Sequence, residues 1–175
     1  MKALFTTRSG GVSAVPWDSL NLGDHVGDDI TCVNANRALL QQACGAHAVF
    51  LKQVHGVDVL KLDAATPQGS QADACVTTHS GIACTIMVAD CLPVLFATQD
   101  GTAVAAAHAG WRGLAGDAAS GHQGVLESVF AALTAATAMA SASKVMAWLG
   151  PCIGPSAFEV GAEVKLAFEA GQPGA

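Results

Sequence analysis

Tyrosine is absent from the 175 residues, and basic side chains are scarce: 8 Lys and Arg against 14 Asp and Glu give a formal charge of −6. Nucleic-acid surfaces draw on clustered Lys and Arg, often with stacking aromatics, so the composition argues against such a partner. Charged residues of both signs reach only 13%, against 51% apolar. That balance excludes intrinsic disorder and leaves a single globular domain long enough to bury its own core. A membrane-spanning run is also missing: the longest apolar stretch, Gly81 to Ala97, is broken by Asp90 and Pro93 and is short for a bilayer. The opening residues Met1-Lys2-Ala3-Leu4-Phe5-Thr6-Thr7-Arg8 lack the apolar core of a secretory signal, which makes the cytoplasm the expected location. No CxxC pair occurs among the cysteines at 32, 44, 75, 84, 91 and 152. In a reducing compartment most of them are expected to be small core hydrophobes.

Residues 6–29 are rich in Gly, Ser, Asp and Asn and read as a long loop or short extended pieces. Asp28 or Asp29 can cap a helix that carries Ile30, Val33, Leu40 and Cys44 on one face and ends at Gly45. Val49 to Val54 and Val57 to Leu62 read as two strands around His55-Gly56, and Gly81 to Ala89 as an apolar strand. Leu92 to Thr98 and Thr102 to His108 are two more, joined by Asp100-Gly101, a strong hairpin signal. Val125, Val129, Leu133 and Ala136 recur at helical spacing, Val145 to Leu149 reads as a strand, and Val160, Val164 and Phe168 suggest a last helix before Gly171 and Pro173. Strands outnumber helices without regular βαβ alternation, which favours an α+β fold with mixed sheets.

The hairpin carries the geometric argument. With a two-residue turn, Gln99 pairs with Thr102, His108 falls opposite Pro93, and Cys91 points to the same face as residue 93. Diagonal neighbours in an antiparallel pair lie about 7–8 Å apart, so both side chains can reach one ion at Zn–S of about 2.3 Å and Zn–N of about 2.0–2.1 Å. A slip of one residue would place them on opposite faces. Taken alone, Cys91 also fits a core cysteine and His108 a hydrogen-bonded core or edge histidine. Next to Asp90 and the turn Gly110-Trp111-Arg112-Gly113, however, an acid, a thiol, an imidazole and a guanidinium gather at one end of the hairpin. Burying them is costly unless they pair or bind something. His55 in Gln53-Val54-His55-Gly56 is left by spacing alone as a turn histidine or a third ligand. His25 and His122 read as solvated loop residues, His47 opens a strand, His79 lies in a turn, and Cys152 reads as structural.

Six ordered motifs then stand out: Thr6-Thr7-Arg8-Ser9-Gly10-Gly11-Val12-Ser13, Leu20-Asn21-Leu22-Gly23, Lys52-Gln53-Val54-His55-Gly56, Ala89-Asp90-Cys91-Leu92-Pro93, Ala107-His108-Ala109-Gly110-Trp111-Arg112-Gly113 and Leu149-Gly150-Pro151-Cys152-Ile153-Gly154-Pro155. Together they resemble the YfiH-like family, also called the polyphenol oxidoreductase or laccase-domain family. Its members are described as purine nucleoside phosphorylases with adenosine deaminase activity. The resemblance implies an α+β sandwich of mixed β-sheets flanked by helices, a fold shared with bacterial toxin deamidases. It also implies metal ligands at His55, Cys91 and His108. Residues 1–175 would form one domain without the family's C-terminal segment, and Asp117 to Gln123 looks like an insertion.

The function this implies is a zinc-dependent purine nucleoside enzyme. It would split adenosine, inosine and methylthioadenosine with phosphate and deaminate adenosine, as a monomer or weak homodimer without nucleic-acid or membrane partners. Asp90 would shuttle a proton or orient the site, and Arg112 would clamp phosphate or substrate. Copper is the alternative metal, as in a laccase-like polyphenol oxidase, although one Cys and two His are few for a multicopper cluster. A metal-free Cys91–His108 hydrolase that edits cell-wall precursors is a third reading. A zinc-stabilised binding domain is a fourth.

Overall fold

The structure, a computed structural model, describes residues 2–137 and 144–171. Helix α1, Ile30–Cys44, begins where the Asp29 side chain accepts from Thr31 N at 2.7 Å. It ends where Gly45 takes the left-handed conformation and returns its N–H to Gln41 O. Both caps are those the sequence offers. The helix buries Val33 and, less expectedly, Asn36. That amide is fully used: it accepts from Val12 N and donates to Ser13 Oγ, Ser19 O and Asn21 O. A helix-interior asparagine thus anchors the polar N-terminal loop, whose backbone groups would otherwise lack partners.

Seven strands follow: β1 His47–Val49, β2 Val59–Lys61, β3 Ala74–Thr77, β4 Ile82–Cys84, β5 Leu92–Thr98, β6 Val104–Ala109 and β7 Val145–Leu149. Five form a mixed sheet in the order β2-β3-β6-β5-β7, with only β2 and β3 parallel, while β1 and β4 pair in parallel as a small second sheet. Three further helices lie among the described residues: α2 Trp111–Ala115, α3 Val125–Thr137 and α4 Ala162–Gly171. This is the mixed α+β arrangement expected from the element order. Pro173, expected beyond the last helix, lies outside the described residues.

The central strand β6 reads Val-Ala-Ala-Ala-His-Ala, without polar alternation, because both its faces are covered. On one face Ala105, Ala107 and Ala109 meet Val94 and, from α3, Val125, Val129 and Leu133. On the other, Ala106 joins Cys75, Val49, Leu51 and Leu62 beneath the small sheet. Alternation then assigns His108 to the second face. At the outer edge, β7 leaves Met146, Trp148 and Leu149 exposed.

The β5–β6 register is the expected one, with Pro93 opposite His108 and Leu92 opposite Ala109. The turn is tied by Gly101 N to Thr98 O and by Thr102 N and Oγ1 to the Asp100 carboxylate. Other expectations need correction. The strands expected at 49–54 and 57–62 shrink to β1 and β2, because the donors between them serve side chains: Phe50 N binds Gln68 Oε1, and Val54, His55 and Gly56 N bind Asp73. The strand expected at 81–89 is only β4; beyond it, Met87 is held by the Gln53 amide through both main-chain groups, at 2.7 and 2.8 Å. Strand β3 and the one-turn helix α2 were not foreseen. Nor are most cysteines core residues: only Cys75 is buried, and Cys152 is exposed.

Gly101 has φ +74 and open space around its missing Cβ, so any substitution cost there is conformational. Gly101→Val is expected to destabilise by about 1–3 kcal/mol, whereas Gly101→Asn should lose much less. Urea unfolding midpoints of the two variants test this; equal losses would mean that the turn does not depend on positive φ.

Candidate metal centre

The β5–β6 hairpin delivers two donors. His108, 4% exposed, projects from the penultimate position of β6, and Cys91 immediately precedes β5 on the same face. The third donor, His55, comes not from a strand pair but from the loop between β1 and β2, where its φ is +62. A left-handed histidine is uncommon and must be held by its surroundings.

Asp73 supplies that hold. It is 0% exposed and lies one residue before β3, beside His108, whose backbone N donates to Asp73 O at 2.7 Å. Its Oδ2 accepts from Val54 N at 3.0 Å and Gly56 N at 2.8 Å; its Oδ1 accepts from His55 N at 2.8 Å and from His108 Nδ1 at 2.9 Å. One buried carboxylate therefore shapes the His55 loop and orients the His108 ring. With its proton on Nδ1, His108 presents Nε2 as the ligand atom. Burial alone would raise the Asp73 carboxyl, but the His108 bond and the three backbone bonds outweigh it, leaving the group below its usual range.

The result is a convergent set of donors. The ligand atoms of His55, Cys91 and His108 all lie within 4.8 Å of one another. Cys91 Sγ is 3.8 Å from His55 Nε2, and the two imidazoles meet edge-on, with centroids 4.7 Å apart and planes at 71°. Ligands around one tetrahedral ion are separated by roughly 3.4–3.7 Å, so small rotations would close the set. One thiol and two imidazoles form a borderline-soft donor set suited to zinc or copper.

Gly110 completes the cradle. A Cβ there would stand 2.8 Å from His55 Cδ2 and 3.1 Å from Cys91 Sγ, so the site tolerates no side chain at this position. Behind it, Gly113 on α2 packs so closely on the loop that a Cβ would meet Gly56 O at 2.9 Å.

A cavity of about 1470 Å³ opens above the donors, lined by His55, Asp90, Cys91 and His108 together with the N-terminal loop and the 85–90 segment. Asp90 is exposed beside the thiol. Burial raises the Cys91 pKa first, and the Asp90 carboxylate adds to this by its charge and its hydrogen bond; Asp73 and Cys152 contribute less. Arg112 is placed elsewhere: its guanidinium stacks on Trp111 at 4.3 Å, and it does not line the cavity. His25 is exposed beside Asp24, as expected of a loop residue. His122 is not freely solvated, since its Nδ1 is buried without a partner.

Asp73 and Gly110 were not singled out from the sequence. Asp73 carried a signal nonetheless, as a lone carboxylate in the apolar run Ala72-Asp73-Ala74-Cys75-Val76, where burial demands several donors. Nothing in the sequence sets Gly110 apart from the other glycines around it.

A family model described as multi-copper polyphenol oxidoreductase laccase matches residues 2–175. A Pseudomonas aeruginosa protein named purine nucleoside phosphorylase is 49% identical over 170 residues, covering 97% of this chain and 64% of that protein. The Escherichia coli purine nucleoside phosphorylase YfiH is likewise 49% identical over 170 residues, covering 96% and 65%. Among solved structures, a Neisseria meningitidis protein superposes with a TM-score of 0.83 at 43% identity, over 96% of this chain and 64% of that one. YlmD from Geobacillus stearothermophilus gives 0.80 at 31% identity, over 97% and 64%. The chain thus spans just under two thirds of the length of these relatives.

Asp73→Asn places an amide donor against backbone donors and leaves buried groups unmatched. It should cost roughly 3–5 kcal/mol at neutral pH. The folded pKa is depressed, so the carboxylate's contribution is complete above the unfolded value of about 3.9 and is lost as pH falls through the folded value. The gap between parent and Asp73→Asn in urea unfolding should therefore narrow in acid; a gap independent of pH would deny the carboxylate this role. Gly110→Ala should keep the fold, because only side-chain atoms crowd the new methyl, yet weaken metal binding at least about tenfold by displacing His55 and Cys91. Competition with a chromogenic chelator measures this, and unchanged affinity would mean that the cradle is not tight.

Proposed function

The chain belongs to the multi-copper polyphenol oxidoreductase laccase family, and on that footing we propose that it acts as a zinc-dependent purine nucleoside enzyme. The reactions proposed are cleavage of adenosine, inosine or methylthioadenosine by phosphate, and hydrolysis of adenosine to inosine and ammonia. The observation that carries this reading is the convergence of His55, Cys91 and His108 at one end of a cavity large enough for a nucleoside. The names of the relatives from Pseudomonas and Escherichia supply the substrate class.

His55, Cys91 and His108 would hold the ion, which would supply Lewis acidity. The remaining chemistry falls to the chain itself. His108 is fixed in one tautomer by Asp73, and His55 is fixed by its own backbone, so the donor set is formed before substrate arrives. Asp90, exposed at the cavity next to Cys91, would take a proton from attacking water and return it to departing ammonia. Arg112, stacked on Trp111 and outside the cavity lining, is not assigned to the reacting centre.

The family description favours copper as a second reading, with polyphenol oxidation as the activity. Two imidazoles and one thiol could hold a single ion, whereas a multicopper cluster needs many more histidines. The metal-free hydrolase gains no support from Cys91, whose thiol is pushed up by burial rather than lowered as an activated nucleophile requires.

Protein purified without added metal should contain one zinc per chain, and His55→Ala, Cys91→Ser and His108→Ala should each lose it. Zinc-loaded protein should convert adenosine to inosine without phosphate, and should release hypoxanthine from inosine with it. Elemental analysis and chromatography of the products provide the check. Several coppers per chain would favour the oxidase, and a zinc-loaded protein that changes neither nucleoside would end the purine reading.

A further inference from the structure

Cys152 follows Gly150-Pro151 at the end of β7 and is exposed. Strand β7 runs antiparallel to β5, with Leu149 opposite Val94. The register continues past that pair, since Gly150 N donates to Pro93 O at 2.9 Å. Beyond that bond the strand pairing ends, and Cys152 lies in an irregular segment beside residues 90–93. Ile153 N donates to Asp90 O at 2.9 Å, so the two segments remain joined on the far side. The two cysteines are therefore bracketed by backbone hydrogen bonds. A disulfide requires Cα atoms about 4.4–6.8 Å apart, a spacing that two segments so joined can reach. Proximity shows in the electrostatics too: behind burial and two carboxylates, Cys152 is among the groups that raise the Cys91 thiol.

We propose that Cys91 and Cys152 form a reversible disulfide that withdraws Cys91 from the metal centre. The oxidant is hydrogen peroxide. The accessible Cys152 sulfur attacks one peroxide oxygen; the S–O bond forms, the O–O bond breaks, and the departing oxygen leaves as water with the thiol's proton. The Cys91 sulfur then attacks the Cys152 sulfenic sulfur; the S–S bond forms, the S–O bond breaks, and a second water leaves with the Cys91 proton or one from solvent. Two thiols lose two electrons, and one peroxide gains them. With its thiolate gone, the centre keeps only His55 and His108. The only other closely placed pair among the described residues, Cys75 and Cys84, is hydrogen-bonded within the core between the sheets, where a solvent-borne oxidant has poor access. Release of metal rests on the reading of the centre given above; the disulfide itself does not.

The test treats zinc-loaded protein with a small excess of hydrogen peroxide. Cross-linked peptides are mapped without reduction, and freed zinc is followed with a chromogenic chelator. A Cys91–Cys152 peptide should accumulate in step with zinc release, and dithiothreitol should reverse both. Cys152→Ser should release zinc at least about tenfold more slowly under the same peroxide, having lost the attacking thiol. Sulfinic acid at Cys91 with Cys152 unlinked, a Cys75–Cys84 disulfide alone, or equal release rates in parent and Cys152→Ser would overturn the proposal. A Cys91–Cys152 peptide formed in protein that takes up no zinc would support the disulfide and reject the metal reading instead.

Discussion

Asp73 has no water to lean on. Its two carboxylate oxygens take four hydrogen bonds from inside the protein, three from consecutive backbone amides and one from an imidazole. A buried charge of this kind persists only when its lone pairs are matched, and here the matching groups are the functional ones. The 54–56 loop cannot move without breaking its amide bonds, and His108 cannot turn without giving up its ring N–H partner. The left-handed conformation of His55, costly in isolation, follows from three amides converging on one anion. Gly113 then lets α2 close against the Gly56 carbonyl, and Gly110 keeps the space between His55 and Cys91 clear.

The five-stranded sheet divides its labour between its faces. Toward α3, small alanines on β6 face Val125, Val129 and Leu133 and form a dry core. Toward the small sheet, the same strand places Ala106 over apolar neighbours and His108 at the centre. Alternation along a single strand thus separates packing from chemistry. The site sits where the second face runs out of apolar cover, beside the open cavity and the N-terminal loop that Asn36 anchors.

What the sequence disclosed follows the range of the forces involved. The caps of α1 and the Asp100-Gly101 turn are decided by a few adjacent residues, and both were legible. The turn in turn fixed the register that sets His108 opposite Pro93 and places Cys91 on the same face. His55 could be named only through family resemblance, since its loop is held by a carboxylate from a distant segment and local pattern suggested two strands. The same long range hid β3, whose Asp-Ala-Cys opening has little strand character of its own. The extended reading of 81–89 failed for a related reason: Gln53 takes the hydrogen bonds a neighbouring strand would have supplied.

The three donors come from well-separated parts of the chain, with Cys91 36 positions beyond His55. An unfolded chain cannot bring them together without a large loss of entropy, so an ion seated on all three binds the native state and hardly the unfolded one. Folding and metal supply are then linked by mass action. At free metal a hundredfold above its dissociation constant, the native state gains about 2.7 kcal/mol, and each further tenfold adds about 1.4. An ion bound there would make the melting temperature of this chain depend on the free metal in its surroundings, and starvation for the ion would appear first as shorter protein lifetime.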